Sequence, residues 1–385
     1  MKKVKLGDVC KIQSGGTPSR GNLNYWNNGN IPWVKISDIK EKHLSRTEEF
    51  ITQEGLANSS AKIFPKETIL YTIFATLGEV SILEIEATTN QAIVGLQIID
   101  ENICKDYLYY YLISLKPFVN EIGRGVAQNN INMQILRNFE IPLPSLEEQK
   151  AIARKLDKVS GLIEKRKTQL EKLSELVKSR FIEMFGSEEN KIPISEMCNV
   201  TGGYSFKSDD ISDDGAIKIL QIGNVYLDNV SWETTNYLPE GFDEKYSKFM
   251  LNEGDIVVAL TRPIIQSLGN VKACIVKSSD LPCLLNQRVG RIVAKKEKSV
   301  FLDFIYGCLM TDDFTRYVET YSIGCSQPNI STKDIENFLI PNATYEEQKV
   351  YVEFKKQTDK SKLVIQKSLE KLETLKKALM QKYFG

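Results

Sequence analysis

The sequence predicts an α+β protein of two similar mixed α/β lobes joined by two long helices, which pair as an antiparallel coiled coil about a pseudo-twofold axis. Three observations carry this. Residues 125–186 recur without a gap 199 positions later, so Gln128 answers to Gln327, Asn130 to Asn329 and Ile141-Pro142 to Ile340-Pro341. Each copy runs through Glu-Glu-Gln-Lys, at 147–150 and 346–349, into a charged helix that ends in Phe-Gly, at 185–186 and 384–385. Upstream the match continues with small shifts: Gly15-Gly16 with Gly202-Gly203, Val34 with Leu220, Gly78-Glu79-Val80 with Gly269-Asn270-Val271, Asn90-Gln91 with Asn286-Gln287. A repeat of this size is a duplication of half the chain, not an array of short units. The expected boundaries are 1–145 for the first lobe, 146–186 for the first helix, 187–343 for the second lobe and 344–385 for the second helix.

Taken in order, the first lobe offers strands at 31–36, 68–73 and 92–99, and the second at 217–222, 255–260 and 289–293, each bounded by Gly, Asn, Pro or Ser turns. An aromatic helix follows in each lobe, near Tyr107 to Leu115 and Leu302 to Met310. The proline-rich joint Ile141-Pro142-Leu143-Pro144-Ser145 then stops strand pairing. Ser145 with Glu148, and Thr344 with Glu347, have the spacing of a capping box that starts a helix. In the first helix Leu156, Ile163, Leu170 and Val177 recur every seven residues, as do Ile365, Leu372 and Leu379 in the second, which marks coiled-coil seams. A helix of 40 residues spans roughly 60 Å.

Composition narrows the function classes. At 385 residues, each lobe is large enough to bury its own core. No apolar run reaches the length of a membrane span, and the lysine-rich start lacks the apolar stretch of a signal peptide. Seven cysteines without a C-x-x-C pair suit a reduced, cytoplasmic protein, and Cys10 and Cys198 read as equivalent buried thiols. The net charge of zero hides a partition: 187–345 carries 15 basic against 22 acidic residues, whereas both helices are basic. Any affinity for nucleic acid must therefore come from a segregated face or from a partner.

Catalytic motifs are missing from the sequence. His43 is the one histidine, no Asn-Pro-Pro-Tyr or Asp-Pro-Pro-Tyr run occurs, and no phosphate-binding glycine loop is found. Glu353-Phe354-Lys355 has the look of a nuclease motif but lies within the second helix, where it reads as a solvated face. The expectation is a non-catalytic chain without a metal site.

With the lobe order, the two Gly-Gly openings, the Gln-x-Asn-Ile turns at 128–131 and 327–330, the Glu-Glu-Gln helix starts and the Phe-Gly ends in hand, the whole chain resembles the specificity subunit of type I restriction–modification enzymes. The resemblance implies two target-recognition domains that each read one half of a split, asymmetric site in double-stranded DNA. It implies helices that set the gap and dock modification (methyltransferase) subunits, with restriction (motor-nuclease) subunits completing the complex. S-adenosylmethionine, ATP and Mg would sit on those partners, none in this chain. Two readings stay open beside it: a coiled-coil protein–protein adaptor, and the recognition subunit of another methyltransferase or nuclease type.

For base and phosphate contacts the candidates in the first lobe are Ser14, Thr17, Ser19, Arg20, Lys35, Thr72, Arg124, Gln128, Asn129 and Asn130. In the second they are Tyr204, Lys207, Arg262, Gln327 and Asn329. Arginine can grip guanine O6 and N7 together, and Asn or Gln can pair with adenine N6 and N7. Shared positions such as Asn90-Gln91 and Asn286-Gln287 are expected to serve the scaffold, and differing loop positions the choice of sequence. Helix cations such as Arg154, Lys165, Arg166 and Lys355 are expected to face partners or phosphates.

Overall fold

The computed structural model describes residues 2–124, 131–187, 189–265, 267–321 and 328–385. It divides into two compact units, Met1–Lys167 with Lys367–Gly385, and Thr168–Gln366. The unit boundaries fall inside the long helices rather than at their ends.

In the first unit, β1 (Lys3–Lys5), β2 (Cys10–Ser14), β3 (Ile31–Val34), β4 (His43–Leu44), β5 (Glu49–Ile51), β6 (Ile69–Thr72), β7 (Val80–Leu83), β8 (Thr88–Thr89) and β9 (Ile93–Ile98) precede the aromatic helix α1 (Lys105–Ser114), α2 (Lys116–Arg124), β10 (Glu140–Pro142) and the long helix α3 (Leu146–Phe185). A five-stranded sheet has the order β2-β9-β6-β7-β4, and a three-stranded sheet the order β5-β3-β8. The apolar runs at 93–96 and 69–71 bury both faces of β9 and β6, with α1 packed on one side through Tyr107, Leu108 and Leu112. β1 pairs antiparallel with β10, so the chain start clips the Ile-Pro joint before α3.

The second unit repeats the plan. β11 (Lys191–Pro193), β12 (Cys198–Gly202), β13 (Ile217–Leu220), β14 (Asn236–Leu238), β15 (Ile256–Ala259), β16 (Ile264–Ile265), β17 (Asn270–Val271), β18 (Ala273–Ile275), β19 (Cys283–Leu285) and β20 (Val289–Ala294) lead to α4 (Leu302–Leu309), α5 (Asp312–Thr320), β21 (Leu339–Pro341) and α6 (Tyr345–Phe384). The sheets run β12-β20-β15-β18 and β14-β13-β19, and β11 pairs with β21 as β1 does with β10. In both units the small sheet contains one parallel pair, β3–β8 and β13–β19.

Register corrects two of the sequence equivalences. Gly15 N–H donates to Ile93 O and Gly203 N–H to Val289 O, so Gly15 corresponds to Gly203, and Tyr204 stands where the first lobe has Gly16. Val80 pairs with Tyr71 and Ala273 with Val258, so the strand after the turn begins two residues later than the Val80–Val271 match implied. The small hairpin β16–β17 takes up the extra length.

The shared motifs at each helix start are scaffold. Ser145 and Glu148 form the expected capping box, as do Thr344 and Glu347. The next residue, Gln149 or Gln348, is buried. Gln149 Oε1 accepts from Cys104 N–H at 2.9 Å while its Nε2 donates to Asn102 O and Pro144 O. Gln348 does the same with Phe301 N–H and Ala343 O, so each glutamine rivets the long helix to the start of the aromatic helix.

The Phe-Gly ends reach the lobe that their own helix does not follow. Phe384 lies 5.2 Å from the Tyr107 ring in the first unit, with Leu379 and Met380 on the same core as Leu156. In the second unit Phe185 packs 5.1 Å from Phe304, and Phe181 5.2 Å from Tyr351, with Val177 beside them. Within each unit, therefore, the first turns of one long helix share a core with the last turns of the other, as an antiparallel pair requires. The heptad positions fall on the covered side: Leu156 and Ile163 are buried, and Leu170, Val177, Ile365, Leu372 and Leu379 half-buried. No helix among the described residues is long and apolar enough to cross a membrane.

Lys355 departs from expectation. It is not a solvated flank: its side chain is 16% exposed and its ammonium lies 2.8 Å from Asp303 and 2.9 Å from Asp359. Burial pulls its pKa down, but the two carboxylates more than offset this and hold it above the ordinary lysine value. The first lobe makes the matching tie with a lysine from a different place, Lys42, which bridges Asp106 on α1 and Asp157 on α3.

Candidate nucleic-acid interface

Each lobe carries one corner where the glycine opening meets the Asn-Gln bend. A Cβ on Gly15 would come within 2.0 Å of Thr89 Oγ1, and one on Gly203 within 2.3 Å of Asn286 O. Only glycine lets the two backbones meet, so both shared motifs serve this junction. The residues that differ between copies are displayed around it.

In the first lobe Ser14 ends β2, and the Thr17 hydroxyl donates to Gln91 Oε1. Ser19 O accepts from the Trp26 indole, and Gly16 O from that of Trp33. The Arg20 guanidinium lies over both rings, 3.7 Å from Trp26 and 4.6 Å from Trp33, and 2.5 Å from Glu49. Lys35 is held by Glu48 at 2.8 Å and Glu49 at 3.3 Å. The hydrogen bond from Arg20 lowers the pKa of Glu49, and the one to Glu48 raises that of Lys35. Both cations are paired with carboxylates, and the Arg20 side chain is still 53% exposed.

Thr72 does not face outward. Its side chain is buried, donating to Thr76 O and accepting from Glu79 N–H, so it shapes the turn rather than reading a base. Arg124 is the last residue of α2, and Gln128, Asn129 and Asn130 lie outside the described residues.

In the second lobe Tyr204 heads an aromatic group, 4.6 Å from Tyr246, 5.2 Å from Phe206 and 5.4 Å from Phe249. Its hydroxyl shares a hydrogen bond with Tyr246, which raises its pKa. Lys207 is exposed just before a short helical turn. Arg262 is exposed with φ +47°, and its N–H donates to Pro328 O at 2.8 Å. Asn329 bridges Thr261; Gln327 lies outside the described residues. Beside Thr261 and Asn329, Gln287 and Arg288 line the same open polar depression. Sequence reasoning assigned Gln287 to the scaffold and did not single out Arg288. The signal for Arg288 was present, because its counterpart two residues after the shared Asn90 is Ala92.

His43 is exposed, 3.3 Å from Glu84, and no group of three or more His, Cys, Asp or Glu among the described residues is placed to hold a metal ion. Burial pushes the Cys10 and Cys198 thiols up to about 12.

The family model described as type I restriction modification DNA specificity domain matches the chain twice, over residues 1–174 and 187–374. The type I restriction enzyme MjaVIII specificity subunit of Methanocaldococcus jannaschii is 31% identical over 402 residues, covering 98% of this chain and 90% of that protein. The MjaIX specificity subunit of the same organism is 36% identical over 200 residues, 49% of this chain and 45% of that protein. Two solved structures share the fold at 17% identity. One is the S subunit of a type I restriction–modification system from M. genitalium, with TM-score 0.56 over 100% of this chain and 96% of that one. The other, from work on complex assembly and conformational transition of the type I R-M system, has TM-score 0.59 over 100% and 97%.

Proposed function

The chain belongs to the specificity subunits of type I restriction–modification enzymes, and from that premise we propose that each lobe reads one half of an interrupted, asymmetric DNA site. The observation that carries this is one scaffold with two chemistries. The Gly–Asn junction, the glutamine rivet and the sheet order recur in both units, while the residues around the junction are Arg20, Trp26 and Glu49 in one and Tyr204, Tyr246 and Arg262 in the other. Two lobes of one frame bind alike in pose, and different side chains select different bases.

The same frame supports a division of labour. The long helices belong to both units, so they set the gap between half-sites and offer modification subunits a surface shared by the two lobes. Methylation and cleavage, with S-adenosylmethionine, ATP and Mg, fall to the modification and restriction subunits. This chain supplies no catalytic group in that scheme.

The test is a DNA titration of the chain assembled with its modification subunits, at several salt concentrations. The expected result is tight binding to one duplex carrying both half-sites, lost when either half is scrambled or the gap is changed by one base pair. Equal affinity for every duplex, with an unchanged salt slope, would overturn the reading.

A further inference from the structure

The turn after the central strand is the same device in both lobes, and its two versions carry opposite chemistry. Ile131 N–H donates to Ile73 O and Ile330 N–H to Leu260 O, which makes Phe74-Ala75 the counterpart of Thr261-Arg262. Ala75 has φ +60° and Arg262 φ +47°. A side chain rarely adopts this left-handed conformation, and glycine would adopt it freely. An arginine held there by the Pro328 carbonyl is strained backbone, which points to a role for the side chain.

The surroundings say what that role is. Among the described residues the side chains of Arg262 and Arg288 are exposed and make no ion pair, although the 187–345 segment has 22 acidic residues against 15 basic. By contrast Arg20 and Lys35 in the first lobe are tied to carboxylates. Arg288 lines the polar depression with Gln287, Thr261 and Asn329, next to Arg262. In the equivalent corner of the first lobe the described residues carry no cation: Phe74 is exposed, Ala75 replaces Arg262, Ala92 replaces Arg288, and Gln91 accepts from Thr17.

Resting on the half-site reading above, we propose that this corner reads bases in both lobes. Arg262 and Arg288 select a guanine in the second lobe's half-site, and Phe74 a thymine in the first's. A free guanidinium matches guanine O6 and N7 in the major groove, and an exposed aromatic ring contacts the thymine methyl.

The test selects bound duplexes from a library randomised in both halves, using the chain assembled with its modification subunits. The variants are Arg262→Gly, Arg288→Ala and Phe74→Ser. Arg262→Gly suits the left-handed turn, so its melting temperature stays equal or rises. Its preference for one guanine, and that of Arg288→Ala, falls on the order of 5- to 150-fold with the other half-site unchanged. Phe74→Ser loses a thymine preference in the opposite half only. A wild-type interrupted motif that all three folded variants keep intact would overturn the corner and leave the half-site reading standing. A wild type that selects no motif would sink both.

Discussion

A buried glutamine at the foot of each long helix shows how much one side chain holds. Gln149 and Gln348 each answer a backbone N–H at the start of the neighbouring helix, and their removal orphans that donor in the core. Gln149→Ala or Gln348→Ala should each lower unfolding stability by about 1–3 kcal/mol in a denaturant titration. A cost near zero would mean water replaces the amide. Lys355→Met leaves Asp303 without its cation and Asp359 with Lys362 at 3.9 Å. Since those partners are 28% and 44% exposed, the expected loss is about 1–3 kcal/mol, less than for a fully buried pair. Because the folded pKa of Lys355 is raised, its contribution is complete at neutral pH and is lost only as the pH climbs through that raised value. Buried thiols with pKa about 12, Cys10 and Cys198, should resist alkylation at neutral pH until the protein unfolds. Rapid labelling of the folded chain would contradict their burial. At this scale the sequence placed Arg262 and Lys207 in loops, and both are exposed. It failed where three-dimensional packing decided the matter: Thr72, turned inward to Thr76 and Glu79 of its own turn, and Lys355, paired across 52 positions with Asp303.

Elements were more legible, because periodicity and caps are local. The strands at 69–72, 93–98, 217–220, 256–259 and 289–294, the aromatic helices and both 40-residue helices lie where the patterns put them. Register was not legible, since a match of two glycines does not say which one faces a neighbouring strand. That is why Gly203, not Gly202, takes the place of Gly15. The helix starts have a pH signature. Bonds from Ser145 and Thr344 hold Glu148 and Glu347 below the ordinary carboxylate value, so their caps are formed above that value and are lost as pH falls through the depressed one. Glu148→Gln should therefore loosen the helix start near neutrality, with faster amide exchange at residues 146–149, and match the wild type once the pH has fallen below the depressed value of Glu148. A difference that persisted in acid would point to shape rather than charge.

For the whole molecule, duplication is the organising fact: two units of one plan, each completed by the last turns of the helix that starts in the other unit. The repeated Phe-Gly ends are visible in the sequence, but which core each fills required the structure. One frame, written twice with different corners, is expected to make one asymmetric interrupted specificity. The most direct measurement is long-read methylation mapping of DNA from cells holding the cognate modification subunit, with and without this chain. The account predicts one interrupted adenine-methylated motif with unlike halves that is present only when the chain is expressed. An identical methylation pattern in both, with both proteins present and folded, would contradict it.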